Sequence, residues 1–175
     1  MLDTEPIKLP DFIIQDPKTG TQCNWDALFG LETYKAQNKE RFWIDGYVGH
    51  EPHVTLLYGL LHEAKNYEWH IEQLLKGWEM PTVTIESVGH FDSPYSDEPY
   101  YCIVAHLEVT NKLLEGHQRL EFLPHINTFA GYKPHVTIGY IKKDDMYLNM
   151  FKEDLNHYLY GKELKITGLN LGGNK

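Results

Sequence analysis

One heptapeptide appears nearly twice in the chain. Pro52-His53-Val54-Thr55-Leu56-Leu57-Tyr58 returns 82 positions later as Pro134-His135-Val136-Thr137-Ile138-Gly139-Tyr140. Both copies are rich in β-branched and apolar residues, so each reads as a strand whose side chains alternate between two faces. Histidine and threonine then share one face. Val54, Leu56 and Tyr58 share the other, as do Val136, Ile138 and Tyr140, so both tyrosines are expected in the core. A chain that repeats such a strand is constrained towards two related halves, each carrying one imidazole and one hydroxyl to a common cleft.

Size and composition permit that arrangement. At 175 residues with 42% hydrophobic side chains, the chain is long enough for one domain with its own core. Cys23 and Cys102 are too few for a disulfide framework and have no metal-ligand spacing, which favours a reducing compartment. Met1 to Pro10 has neither a basic n-region nor an apolar h-region, and no apolar run approaches the length of a membrane span. The expectation is a soluble cytoplasmic protein without a membrane partner. Sixteen Lys and Arg stand against 25 Asp and Glu, a formal net charge of −9. A long polyanion is held by neutralising successive phosphates, so no long nucleic acid is expected as a partner. A small nucleotide, which needs only one or two local cations, remains compatible.

Along the chain, Phe12-Ile13-Ile14 reads as an edge strand in a segment punctuated by Pro6, Pro10, Pro17 and Gly20. Trp25 to Lys39 reads as a short helix and loop, and Arg41 to Val48 as a strand. Tyr67, Ile71, Leu74, Leu75 and Trp78 fall at helical spacing within residues 66 to 78, with Gly77 near the stop. Thr82 to Phe91 and Tyr100 to Glu108 are strand-like runs separated by a spacer rich in turn residues. Thr110 is the expected N-cap of a helix bearing Leu113, Leu114, His117, Leu120 and Leu123 on one face. A third helix over about 144 to 160 ends at Gly161, and Glu163 to Leu171 is a last strand. Helices and strands mix without a regular βαβ order, which predicts an α+β fold with largely antiparallel sheets. Residues 1 to 40 read as an extension or lid before a single two-lobed domain over 41 to 175.

An imidazole is well suited to proton transfer near neutral pH. Two of them facing one phosphate can divide the work. One takes a proton from the attacking hydroxyl or water, and the other gives a proton to the departing oxygen. The threonine two residues along the same strand face donates a hydrogen bond to a non-bridging phosphate oxygen as charge builds. No metal or cofactor is required by this scheme.

The duplicated Pro-His-x-Thr motif resembles that of the 2H phosphoesterase superfamily, which includes the proteins called 2′-5′ RNA ligases and the cyclic phosphodiesterases. The resemblance implies a pseudo-symmetric two-lobed α+β fold, with antiparallel sheets lining a central cleft and helices outside. It also implies metal-independent cleavage of nucleotide phosphodiesters or cyclic phosphates. His53, Thr55, His135 and Thr137 match the family motif position by position and are the expected catalytic set. In size and acidity the chain is similar to phage proteins of this superfamily that degrade cyclic nucleotide messengers of bacterial antiviral (CBASS-type) signalling. That likeness implies a cyclic di- or trinucleotide substrate, met in the host cytoplasm. A 2′-5′ oligoadenylate, a 2′,3′-cyclic phosphate or an ADP-ribose cyclic phosphate would use the same four residues, and a nucleotide-binding module without chemistry is the rival of another class.

Three further residues are candidates for substrate binding. Lys133, two residues before His135, can steer a phosphate or simply be solvated. Tyr132 and Trp43 can stack on a base or serve as packing. His50, Glu51 and His53 lack further ligands for a metal site. His62-Glu63 does not open a zincin helix, because residue 66 is Asn where that motif needs a second histidine.

Overall fold

The computed structural model describes residues 7–8, 11–15, 34, 36–38, 53–92, 100–126, 131–143 and 145–171. Among these the strands are β1 (Ile7–Lys8), β2 (Asp11–Gln15), β3 (His53–Thr55), β4 (Tyr58–Leu60), β5 (Thr82–Asp92), β6 (Tyr100–Leu107), β7 (His135–Lys142) and β8 (Glu163–Asn170). The helices are α1 (Glu68–Leu74), entered through a 3₁₀ turn over Ala64–Tyr67, α2 (Asn111–Leu120) and α3 (Asp145–Leu159). The expected strand over Arg41 to Val48 lies outside the described residues. Of the helix expected over Trp25 to Lys39, residues 34, 36 and 37 are helical.

Six of the described strands form one ladder in the order β3-β2-β8-β5-β6-β7, and every pairing in it is antiparallel. The long strand β5 joins the two wings of this sheet. Its first residues, Thr82–Thr84, pair with β8, whereas Ile85 to Asp92 pair with β6. Between them Ile85 faces Leu107 and Ser87 faces His106, so Glu86 is one residue in excess. Such a bulge bends a strand and increases its twist. One wing therefore runs outward from β5 to β3 and the other to β7, so that each wing has a His-x-Thr strand at its outer edge. These two outer strands, last in the order at either end, come into contact with each other.

The expectation of an edge strand at Phe12–Ile14 is corrected. β2 lies inside the sheet, with β3 on one side and β8 on the other. Asp11–Gln15 is thus built into the same sheet as the motif strands.

Helix α3 covers the sheet because its apolar residues recur at helical spacing. Leu148, Phe151, Leu155 and Leu159 are all buried, forming a stripe that meets Val83, Ile85, Leu164 and Ile166 in one continuous core. Polar contacts fix its register on β5: Asn156 Oδ1 accepts from the Val88 amide at 3.2 Å, and Lys152 Nζ lies 3.2 Å from His90 Nδ1. Helix α2 starts where the sequence predicts, with Thr110 Oγ1 accepting from Leu113 N at 3.2 Å. It docks on the end of α1 through Gly116, where a Cβ would collide with the Trp78 ring. Trp78 Nε1 donates to Lys112 O at 2.8 Å. Arg119 Nη1 donates to Leu74 O at 3.2 Å and Lys76 O at 2.9 Å, meeting carbonyls that the end of α1 leaves open. Among the described residues no helix is long and apolar enough to cross a membrane.

Candidate active site

The motif strands behave as alternation requires close to the histidines. Val54 and Val136 are fully buried, while His53, Thr55, His135 and Thr137 are half-buried on the other face. Pro134 leads into β7, and Pro52 lies outside the described residues. Proline's fixed φ and missing N–H make it a natural strand entry.

Beyond the threonines, parity fails in both copies, and for a different reason in each. After Thr55 the first strand stops. Tyr58 begins β4, which pairs with β1 instead of β2, and Tyr58 is 37% exposed, not core. In the second copy the strand continues but carries a bulge. Thr137 faces Val104 and Gly139 faces Ile103, so Ile138 is the extra residue. The bulge returns Tyr140 to the His135 side: it stands opposite Cys102, whose other cross-strand partner is Phe91. Tyr140 is half-buried and meets Tyr100 edge to face at 5.1 Å.

His135 is oriented from below. Its Nδ1 lies 2.9 Å from the Lys133 carbonyl. A carbonyl only accepts, so Nδ1 carries the proton and proton exchange with a substrate falls to Nε2. The Phe91 ring packs edge to face on the His135 imidazole at 5.0 Å. Phe91 also meets His106 at 5.8 Å, and His106 is the direct cross-strand partner of His135 on β6. This third imidazole lies against Gly89, where any Cβ would clash with the His106 ring. Burial holds the pKa of His106 below the ordinary histidine value, opposed by the Glu86 carboxylate and reinforced by the Lys133 ammonium.

Lys133 is exposed beside the second motif, near enough for its charge to act on His106. Tyr132 has its hydroxyl on the Thr55 carbonyl at 2.9 Å and one ring face stacked on His117 at 4.1 Å. Trp43 lies outside the described residues, as do His50 and Glu51. Among the described residues no three His, Cys, Asp or Glu side chains gather as a metal-binding group. A shallow cavity of about 260 Å³, lined by Thr84, Ile85, Glu86, Glu108, Tyr160 and Gly161, includes none of the four motif residues. Its two carboxylates make it a poor host for a phosphate.

Sequence reasoning missed Phe91 and His106. Alternation along Tyr100 to Leu107 does place His106 on one face with Cys102 and Tyr100, but only pairing with β7 reveals that this face is the one bearing His135.

A curled antiparallel sheet whose two outer strands each present a histidine and a threonine, backed by helices, defines an α+β phosphoesterase of the 2H class. The chain belongs to the 2′-5′ RNA ligase superfamily, whose family model matches residues 27–173. Among solved structures it is similar to Kluyveromyces marxianus Usb1, with 13% identity, a TM-score of 0.47, and coverage of 86% of this chain and 82% of that chain. It is similar also to the same protein with uridine monophosphate, with 14% identity, a TM-score of 0.46, and coverage of 85% and 81%. A search among curated proteins finds no match.

Proposed function

We propose that the protein is a metal-independent phosphodiesterase of small nucleotides, with His53 and His135 as the acid-base pair and Thr55 and Thr137 as the phosphate-holding hydroxyls. The supporting observation is the meeting of β3 and β7 from opposite ends of the sheet, each with its histidine and threonine on the half-buried face. With Nδ1 of His135 committed to the Lys133 carbonyl, its Nε2 either takes the proton of the attacking oxygen or, when protonated, delivers one to the leaving oxygen. His53 performs the complementary transfer, and the two exchange roles in a second, hydrolytic step. The threonine hydroxyls donate to the non-bridging oxygens, where negative charge grows.

The favoured substrate is a cyclic di- or trinucleotide, as in phage evasion of antiviral signalling. The net charge of −9 supports a compact substrate over a long polyanion. The test is a panel of cyclic dinucleotides, cyclic trinucleotides, 2′-5′ oligoadenylate, and 2′,3′-cyclic and ADP-ribose cyclic phosphates, followed by mass spectrometry. His53→Ala and His135→Ala should each lower turnover by about 10²–10⁴-fold. The double variant should be only slightly worse than either single one, because the pair acts as a unit. Full activity in either single variant would overturn the assignment. Since the two imidazoles account for every proton transferred, turnover should also persist after exhaustive EDTA treatment. Loss that zinc, manganese or magnesium restores would instead indicate a metallohydrolase.

A further inference from the structure

We propose that Tyr132 and His117 are positioning residues that lock the first His-x-Thr strand against the second by holding two consecutive backbone carbonyls, those of Thr55 and Leu56. The inference rests on the phosphodiesterase reading above and extends it to residues outside the motifs.

Strand β3 ends at Thr55 and β4 begins at Tyr58, so the intervening backbone leaves the ladder. It does so among buried side chains, with Leu56 and Leu57 in the core. Buried carbonyls need donors. The donors come from the other half of the chain. Tyr132 Oη donates to Thr55 O at 2.9 Å. His117 Nδ1 lies 2.6 Å from Leu56 O and must donate to it. The two donors also brace each other, because the rings stack with centroids 4.1 Å apart and planes inclined by 6°. Glu121, one turn along α2, faces the other His117 nitrogen, with Oε1 3.3 Å from Nε2, and so fixes the imidazole's orientation. Burial raises the pKa of the Tyr132 hydroxyl, so it stays a donor throughout the physiological range.

What makes this more than carbonyl satisfaction is the place of each partner in the chain. Tyr132 lies three residues before His135, and the carbonyl it holds belongs to Thr55. A single hydrogen bond therefore links the lead-in of one motif to the backbone of the other motif's phosphate-holding residue. The reaction requires the two imidazoles and two hydroxyls to be aligned on one phosphorus, and small displacements of such groups are costly in rate. The link acts on the relative placement of the motif strands while contributing no atom to the substrate site.

The test uses Tyr132→Phe, which keeps the stacked ring and removes only the hydroxyl, together with His117→Ala. Readouts are kcat and KM on the diester found by the panel, thermal midpoint, and the imidazole ¹⁵N signals of His53 with and without inorganic phosphate. Tyr132→Phe should lower kcat about 10–100-fold with KM within about threefold. The His53 signals should move although residue 132 lies in the other half of the chain. If Tyr132→Phe does not fold, His117→Ala is read by the same criteria. A rise in KM at unchanged kcat would make the Tyr132 hydroxyl a substrate-binding group and overturn the proposal, as would His53 signals identical to the parent's. Absence of turnover in the parent on every diester would sink the phosphodiesterase reading instead, and the His53 spectra would still decide whether the link couples the strands.

Discussion

His106 shows how a residue without a motif enters a site. Its ring lies over Gly89, contacts Phe91, and stands directly across from His135. Were it charged, it would oppose protonation of its neighbour, and burial acts against that charge. The same depression links it to stability. In the folded state His106 binds a proton less readily than the unfolded chain does, so its contribution is fully present above the ordinary histidine pKa of 6.5 and is lost as pH falls through the lower folded value. The parent should therefore lose more thermal stability than His106→Gln between about pH 7 and pH 5. Melting curves at half-unit pH steps check this, and parallel pH profiles for the two proteins would refute it. Thr55→Ala and Thr137→Ala belong to the same scale. In the proposed mechanism each would remove one donor to the phosphate and leave proton transfer intact, so turnover should fall clearly but by less than in the histidine variants.

Elements in this protein begin and end largely for local reasons. Thr110 caps α2 with its own hydroxyl, and Gly77 and Gly161, both at positive φ, follow α1 and α3 in the conformation glycine tolerates best. Removal of the cap by Thr110→Ala should cost about 1 kcal/mol, measurable by urea denaturation as a lower midpoint with an unchanged slope. The motif strands are less local. Their first three residues alternate as the amino-acid pattern dictates, yet Tyr58 and Tyr140 depart from it. In one case the ladder ends at Thr55, and in the other an extra residue at Ile138 resets the phase. Neither event has a signature in the heptapeptide, because a bulge is a relation between two strands and not a property of one.

For the molecule as a whole, the bend in β5 is the decisive feature. The bulge at Glu86 divides one sheet into two wings, and the curl of those wings brings their outermost strands together. Deleting Glu86 leaves Ser87 and the later β5 residues opposite the same β6 partners but removes the extra residue, and with it the bend and added twist that turn one wing towards the other. Loss of both stability and turnover is expected. Glu86→Ala retains the residue count and should keep the fold, so circular dichroism and melting of the two variants separate the bulge from the side chain. Equal behaviour of the two would show that the carboxylate, not the extra residue, is what matters.

The heptapeptide repeat by itself determined the four motif residues, their placement on strands, and the faces they share, because alternation over three residues is a local consequence of strand geometry. The helix at Thr110 and the strand from Glu163 were equally legible, through capping chemistry and β-branched composition. Tertiary structure alone decided that β2 lies inside the sheet, that His106 and Phe91 flank His135, and that Tyr132 reaches back to Thr55. Each of these is a pairing between residues distant in sequence. Side-chain periodicity specifies which face of an element is buried, but the partner that buries it is selected by strand register and sheet curvature over the entire chain.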